Sequence, residues 1–328
     1  MDRSVQFRAM NTDFLLSGLP TGVAAEVQHR IIEAERKFSR FLADSEISRI
    51  NDSTDKWVPV SPLAYDLLTE ALAAVQATEG FFNPFMGLTL RTWGYDRSYE
   101  LLRERQSRPE FQRESPMREF ARPTHGTSVP LAMNPQQLAV RLHKGVFIDV
   151  GGIAKGWVAQ REANELIARG ISGGLIDAGG DVVVWGQEPT QDLWGIGVAN
   201  PMPSGEDVAS LWLEGLTAMA TSSIVKRSWQ APETGAAHHI LDPRTGAPAV
   251  TDFLQVTVIG RNLSVAEQYA KCLIVLGSAA GIPWLEKQQP ELAYIGVCRD
   301  GSVYVSANLD RYAQEWEVKK HVRLGACS

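Results

Sequence analysis

Alternating apolar and polar positions open the chain. VQFRA and TDFLLS lie on either side of Met10-Asn11, which predicts an antiparallel strand pair with a turn at Met10 to Asp13. The period then lengthens: Val23, Val27, Ile31, Ala34 and Phe38 recur at helical spacing and predict a helix from about Thr21 to Leu42. Ser45 is placed to cap a brief helix bearing Ile47 and Ile50. In SPLAYDLLTEALAAVQATEG, Ser61 reads as the N-cap, Pro62 as the first helical residue and Gly80 as the stop.

From Leu138 onward the signals are denser. LAVRLHKGVFIDVGG predicts a strand running into a glycine turn, and IAKGWVAQREANELIARG a helix ending at Gly170. GGLIDAGGDVVVWG predicts two buried strands around a second glycine turn. LWGIGVANP, ASLWLEGLTAMATSS and FLQVTVIG add strands, and VAEQYAKCLIVLG adds a helix closing on Gly277. LAYIGVCRDGSVYVS predicts a hairpin around Asp300-Gly301. Strands and helices mix without strict alternation, so the fold class read here is α+β, in one domain over residues 1–328. A charged insertion interrupts it at about 97–135. Between Arg97 and Arg122 there are seven Arg and five Glu with few apolar residues, so this stretch is expected to be solvated and dispensable for folding.

Composition narrows the function. Of 328 residues, 44% are apolar and 21% charged, as in an ordinary soluble protein, and the net charge of −6 carries no footprint for nucleic acid or an anionic membrane. Glutamates interleaved among the arginines of the insertion also argue against an RNA-binding arm. Cys272, Cys298 and Cys327 show no metal-like spacing, and Cys272 reads as a small core residue. The first residues lack the apolar stretch of a secretory signal, and no run approaches the roughly 18 apolar residues of a membrane helix. A cytoplasmic protein is expected.

Three motifs carry candidate chemistry. In DVGGIAKGWVAQ, Gly151 and Gly152 allow close backbone approach, the following helix offers N–H groups to an anion, and Lys155 adds a point charge. In IDAGGDVVVWG, Gly179 and Gly180 suit a backbone that packs against a ligand or a neighbouring strand. In HHILDPRTG, Asp-Pro followed by Thr-Gly is a turn with a mechanism, but a turn alone does not explain the paired histidines before it.

With AMNT, FSRFLADSEISRIN, GFFNPFMG, ATSS and AEQYAKCLIVLG, these motifs run in one order from Met10 to Gly277. Together they resemble the ApbE family of flavin transferases. The resemblance implies an ApbE-like (T-fold-like) arrangement of mixed sheets and helices around a cleft that binds FAD. It also implies transfer of FMN from FAD to a Thr or Ser hydroxyl of an acceptor flavoprotein, with release of AMP, aided by magnesium. Carried over, it places Met10, Phe41, Phe82, Asn83, Pro84, Asp149, Lys155, His239 and Thr245 at the cofactor, makes His239 and Asp242 catalytic, and sets the Gly152 carbonyl facing the metal.

The departures from the family pattern fall on the site. Asn83 stands where an aspartate is usual, Phe85 where a threonine is usual, and Ser223 where a glycine follows Thr-Ser. The family's metal-binding aspartate and threonine, four residues apart, are Glu267 and Lys271 here. Glu267 keeps a carboxylate, whereas a charged lysine has three donors and no lone pair for a metal. An FAD-binding protein without transfer activity is therefore the alternative, and dispensing with magnesium is an expectation. The same residues admit a plainer reading: Ser264 to Glu267 fits a capping box, and Glu267 with Lys271 is a favourable i, i+4 pair. Both readings hold if one pair closes the helix and also faces the pyrophosphate.

Overall fold

The opening alternation folds as a hairpin. Val5–Ala9 pairs antiparallel with Thr12–Ser17, and Met10 and Asn11 close the turn with φ of 51° and 55°. Two positive φ values make the turn that matches the twist of paired strands. Residues 4–106, 130–202, 206–231, 235–319 and 322–324 are described by the computed structural model. They group into two compact units, neither continuous in sequence.

The first unit comprises Met1–Ile32, Lys155–Lys226 and Thr251–Ser328. Its centre is a nine-stranded sheet in the spatial order Val5–Ala9, Thr12–Ser17, Gly174–Ala178, Val182–Trp185, Thr217–Ser223, Phe253–Gly260, Ala293–Cys298, Val303–Val305, Val322–Leu324. Every neighbouring pair is antiparallel except the last. Strand residues alternate between faces. Val184, Met219, Ile259 and Ile295 pack with Trp194, Leu211 and Leu213 of a three-stranded sheet formed by Trp194–Ala199, Asp207–Leu213 and Ala313–Val318. The alternate residues Ala218, Ala220, Val256 and Val258 are also buried, on strands that lie against the helix Leu263–Gln288.

That helix differs from expectation in two places. Its N-cap is Asn262, whose side chain accepts from the Val265 N–H at 3.2 Å. Ser264 is buried inside the helix and accepts from Gln268 at 3.1 Å, so the expected capping box does not form. Gly277 (φ 72°, ψ 175°) breaks the helix, as its position predicts, but a second segment follows directly. Asp252 restarts it by accepting from the Ser278 N–H at 2.9 Å, a tertiary cap that local sequence does not reveal.

The second unit comprises Glu33–Ala154 and Arg227–Val250. Ser45 and Ser61 cap the helices Glu46–Asp52 and Pro62–Ala77 as their spacing predicts. Val58–Pro59, Ala139–Leu142 and Leu131–Asn134 form a small antiparallel sheet. The Asn51 amide bonds both backbone groups of Ile148, at 3.0 and 2.7 Å, and so fixes the segment leading into Asp149.

The charged insertion is corrected at both ends: Leu131–Asn134 is a paired strand with Leu131 buried, and the start also packs. Tyr99–Gln106 is a helix whose Leu102 is buried against Tyr95, Trp229 and Ala237, and the Tyr99 hydroxyl donates to the Ser228 carbonyl at 3.0 Å. Leu102 and Tyr99 dock an otherwise highly charged helix, and composition averages that signal away. Residues 107–129, where most of the expected insertion falls, lie outside the described residues. Leu102→Ala should cost about 2–5 kcal/mol, and Leu101→Ala, at an exposed neighbour, should lie within about 0.5 kcal/mol of wild type. Urea unfolding of the two variants measures the contrast.

Candidate active site

In the first unit, one buried carboxylate lies at the centre of a charge cluster that links four motifs. Glu267 has no solvent exposure. Its Oε1 accepts from Lys155 Nζ at 2.5 Å and from Lys271 Nζ at 3.1 Å, and its Oε2 from the Gly156 N–H at 2.9 Å. Lys155 also pairs with Asp181 at 2.9 Å. Two acids and two ammonium groups thus neutralise one another in a largely shielded cluster. Burial alone would raise the Glu267 carboxyl, but Lys155 and Lys271 outweigh it and hold its pKa at about 2. Burial lowers the pKa of Lys271, opposed by Glu267.

Gly156 makes the approach possible. A Cβ there would stand 2.8 Å from Glu267 Oε2 and 3.0 Å from the Leu263 carbonyl. The glycine after Ala-Lys therefore lets the helix Ala154–Ala168 lie close against the start of the helix that carries Glu267.

The second glycine turn is tied to the same cluster. Asp177 closes it by accepting from the Gly180 N–H at 2.6 Å, while Asp181 accepts from the Thr221 N–H at 3.1 Å. Gly179 (φ 75°) faces Thr12, where a Cβ would collide with the threonine hydroxyl. Of the two reasons the sequence allows for this glycine, the neighbouring hairpin supplies one. Met10 sits in the turn of that hairpin.

The second unit knits the remaining motifs around Arg40. Its guanidinium is nearly fully buried, donates to Asp149 at 2.7 Å and to the Tyr95 carbonyl at 2.8 Å, and lies over Phe41 at 4.2 Å. Asp149 also accepts from the Gly151 N–H, and its own N–H donates to the Pro84 carbonyl at 2.8 Å. Asn83 accepts from the Phe85 N–H and Phe82 is buried, so Phe82-Asn83-Pro84 is a packed turn. Tyr95 stacks on Trp229, Trp229 donates to the Trp93 carbonyl, and Trp93 donates to the Gly246 carbonyl at 2.7 Å. The Asp149 and Asp242 motifs are thereby joined through aromatic residues.

In HHILDPRTG the two histidines differ. Buried His238 contacts the Ala249 carbonyl at 3.1 Å through Nε2, while the half-buried His239 contacts the Arg227 carbonyl at 3.4 Å through Nδ1. A carbonyl only accepts, so this contact calls for a proton on Nδ1. Asp242 is held in a fork by Arg244, at 2.9 and 2.8 Å, and its carbonyl accepts from the Gly246 N–H. Thr245 is exposed, and its hydroxyl accepts from the Ala247 N–H.

Residues 1–295 match the family model described as the ApbE family. The chain belongs to the ApbE family. It is 30% identical to the FAD:protein FMN transferase of Treponema pallidum over 267 residues, which are 77% of this chain and 70% of that protein. With the FAD:protein FMN transferase of Haemophilus influenzae the identity is 24%, over 97% of this chain and 92% of the other. The ApbE protein of Thermotoga maritima superposes with a TM-score of 0.78 at 25% identity, covering 96% of this chain and all of that one. The flavin transferase ApbE of Vibrio cholerae shares the fold, with a TM-score of 0.72 at 21% identity over 95% of this chain and 99% of that one.

Within this ApbE chain, Asp149 and Lys155 are not solitary charges; each is held in an ion pair. Arg40, Asn51, Tyr95, Trp93, Asp181, Trp229 and Arg244 hold the site motifs, yet sequence reasoning assigned them no role. Arg40 and Asp181 lie inside FSRFL and IDAGGD, but their partners are 109 residues and 26 residues away. Periodicity carries no signal for such pairs.

A carboxyl whose folded pKa lies below 4.5 stabilises the protein above that pH, and the contribution is lost as pH falls toward about 2. Glu267→Gln should therefore be less stable than wild type by about 3–5 kcal/mol near neutrality. The difference should shrink between about pH 4.5 and 2. Urea unfolding of both proteins at pH 7 and pH 3 checks the sign.

Proposed function

We infer that the chain is an FAD:protein FMN transferase, moving FMN from FAD to a Thr or Ser hydroxyl of an acceptor flavoprotein and releasing AMP. The family match over residues 1–295 carries this reading, and the His239 geometry adds a base for it. His239 takes the proton of the acceptor hydroxyl as its oxygen attacks the FMN-side phosphorus. A new P–O bond forms, the pyrophosphate P–O bond breaks, and the electron pair leaves on AMP. Asp242 sets the turn after His239, because its carboxylate is committed to Arg244. Phe41, backed by Arg40 and Tyr95, offers an aromatic face for the flavin ring system.

Magnesium requires oxygen ligands at about 2.0–2.1 Å in octahedral order. The Glu267–Lys271 pair does not fit it. Both Glu267 oxygens accept from protein donors, and Lys271 has no lone pair while protonated. Among the described residues no group of three or more His, Cys, Asp and Glu is arranged to hold a metal.

A cytoplasmic location belongs to the same reading. It is supported by Cys272 and Cys298, both buried and neither in a disulfide. Cell fractionation followed by detection of the chain tests it.

His239→Asn should lower FMN transfer by about 10²–10⁴-fold, the range for loss of a general base. It should retain FAD binding, seen as a rise in melting temperature with the flavin. The assay incubates protein, FAD and candidate flavoproteins, then reads flavin fluorescence on a denaturing gel. Transfer at the wild-type rate by His239→Asn would remove the histidine from the mechanism.

A further inference from the structure

Lys271 differs from its neighbour Lys155 in how far its donors are spent. Lys155 is shared between Glu267 and Asp181. Lys271 donates to the Glu267 carbonyl at 3.2 Å and to Glu267 Oε1 at 3.1 Å, both on the turn preceding it. An ammonium has three N–H donors. The third on Lys271 has no protein partner among the described residues, and the side chain keeps 17% of its surface in solvent. The charge is therefore pinned, partly desolvated and still able to donate.

Glu267 does not depend on Lys271 alone. If an anion drew Lys271 away, Lys155 and the Gly156 N–H would still satisfy both carboxylate oxygens. The lysine can engage an incoming ligand without stranding a buried charge. A divalent ion placed here would meet an ammonium already in position and a carboxylate already occupied.

We propose that Lys271, oriented by Glu267, is a built-in cation for the pyrophosphate of FAD, so that this chain binds FAD without a divalent metal. The proposal rests on the transferase reading above. Glu267 is then a positioning residue and Lys271 a binding residue. An ammonium serves as a point charge for phosphate, and its fixed place removes the need to recruit an ion.

The test titrates FAD into full-length protein, once in EDTA and once in magnesium, following flavin fluorescence. Wild type should bind with the same Kd, within about twofold, in both buffers. Lys271→Ala should bind roughly ten- to hundredfold more weakly, as expected when a charge-assisted contact is lost, and magnesium should not restore it. The double variant Glu267→Asp, Lys271→Thr should bind weakly in EDTA and recover in magnesium. Lys271→Gln, which keeps a donor but not the charge, replaces Lys271→Ala if the latter does not fold. Tightening of wild-type FAD binding by tenfold or more on adding magnesium would overturn the proposal and leave the transferase reading intact. So would wild-type affinity in Lys271→Ala or Lys271→Gln. Absence of FAD binding by folded wild type in either buffer would overturn both.

Discussion

A fully buried carboxylate is costly unless both its oxygens have partners, and Glu267 meets that demand with three donors from two separate helices. Lys155 and Gly156 come from one, Lys271 from the other. Because the same Lys155 also grips Asp181, the strand after the second glycine turn is tied to both helices. Through Asp181 the tie reaches Thr221 in the adjacent strand. Four short motifs, scattered over more than a hundred residues, thereby become one electrostatic unit. The glycines earn their positions from this: Gly156 clears the way for the carboxylate, and Gly179 for Thr12.

The second unit solves a similar problem with arginine. Arg40 is buried and held by Asp149 and by a carbonyl, with the Phe41 and Tyr95 rings close to its guanidinium. Arginine suits this because its fork bonds in the plane while its faces remain free for aromatic contact. The Asp149 segment is in turn fixed by Asn51 through Ile148 and by the Pro84 carbonyl. The His239 turn is braced by Arg244 on Asp242 and, through the aromatic chain from Tyr95, by Trp93 on Gly246. Both ends of the unit's chemistry are thus set by groups that do no chemistry themselves.

Family membership and the departure at Glu267 and Lys271 bear on one another. The fold of an ApbE protein is kept, while Lys271 stands where the family resemblance implies a threonine ligand. Such a change need not disturb the fold, because the charges at the position still balance within the cluster. If Lys271 meets the pyrophosphate as proposed, the exchange is one of cation and leaves the packing intact.

Much of this was legible along the chain. Period-2 runs located the strands, Ser45 and Ser61 located helix starts, and Asp300-Gly301 located a hairpin, since each depends on residues a few positions apart. The set of short motifs named the family, because their order and spacing are properties of sequence. Tertiary structure alone decided where the side chains of those motifs point. S-x-x-E looked like a cap at Ser264, yet Glu267 turned to Gly156, 111 residues away, and Asn262 took the cap. Arg103, Glu104 and their neighbours made 97–106 look solvated, yet one leucine found an aromatic floor. Local pattern reports propensity and capping within a few residues. The pairing of buried charges is settled by which distant donors the fold brings within about 3 Å, and a carboxylate with no water to turn to takes those donors over a local alternative.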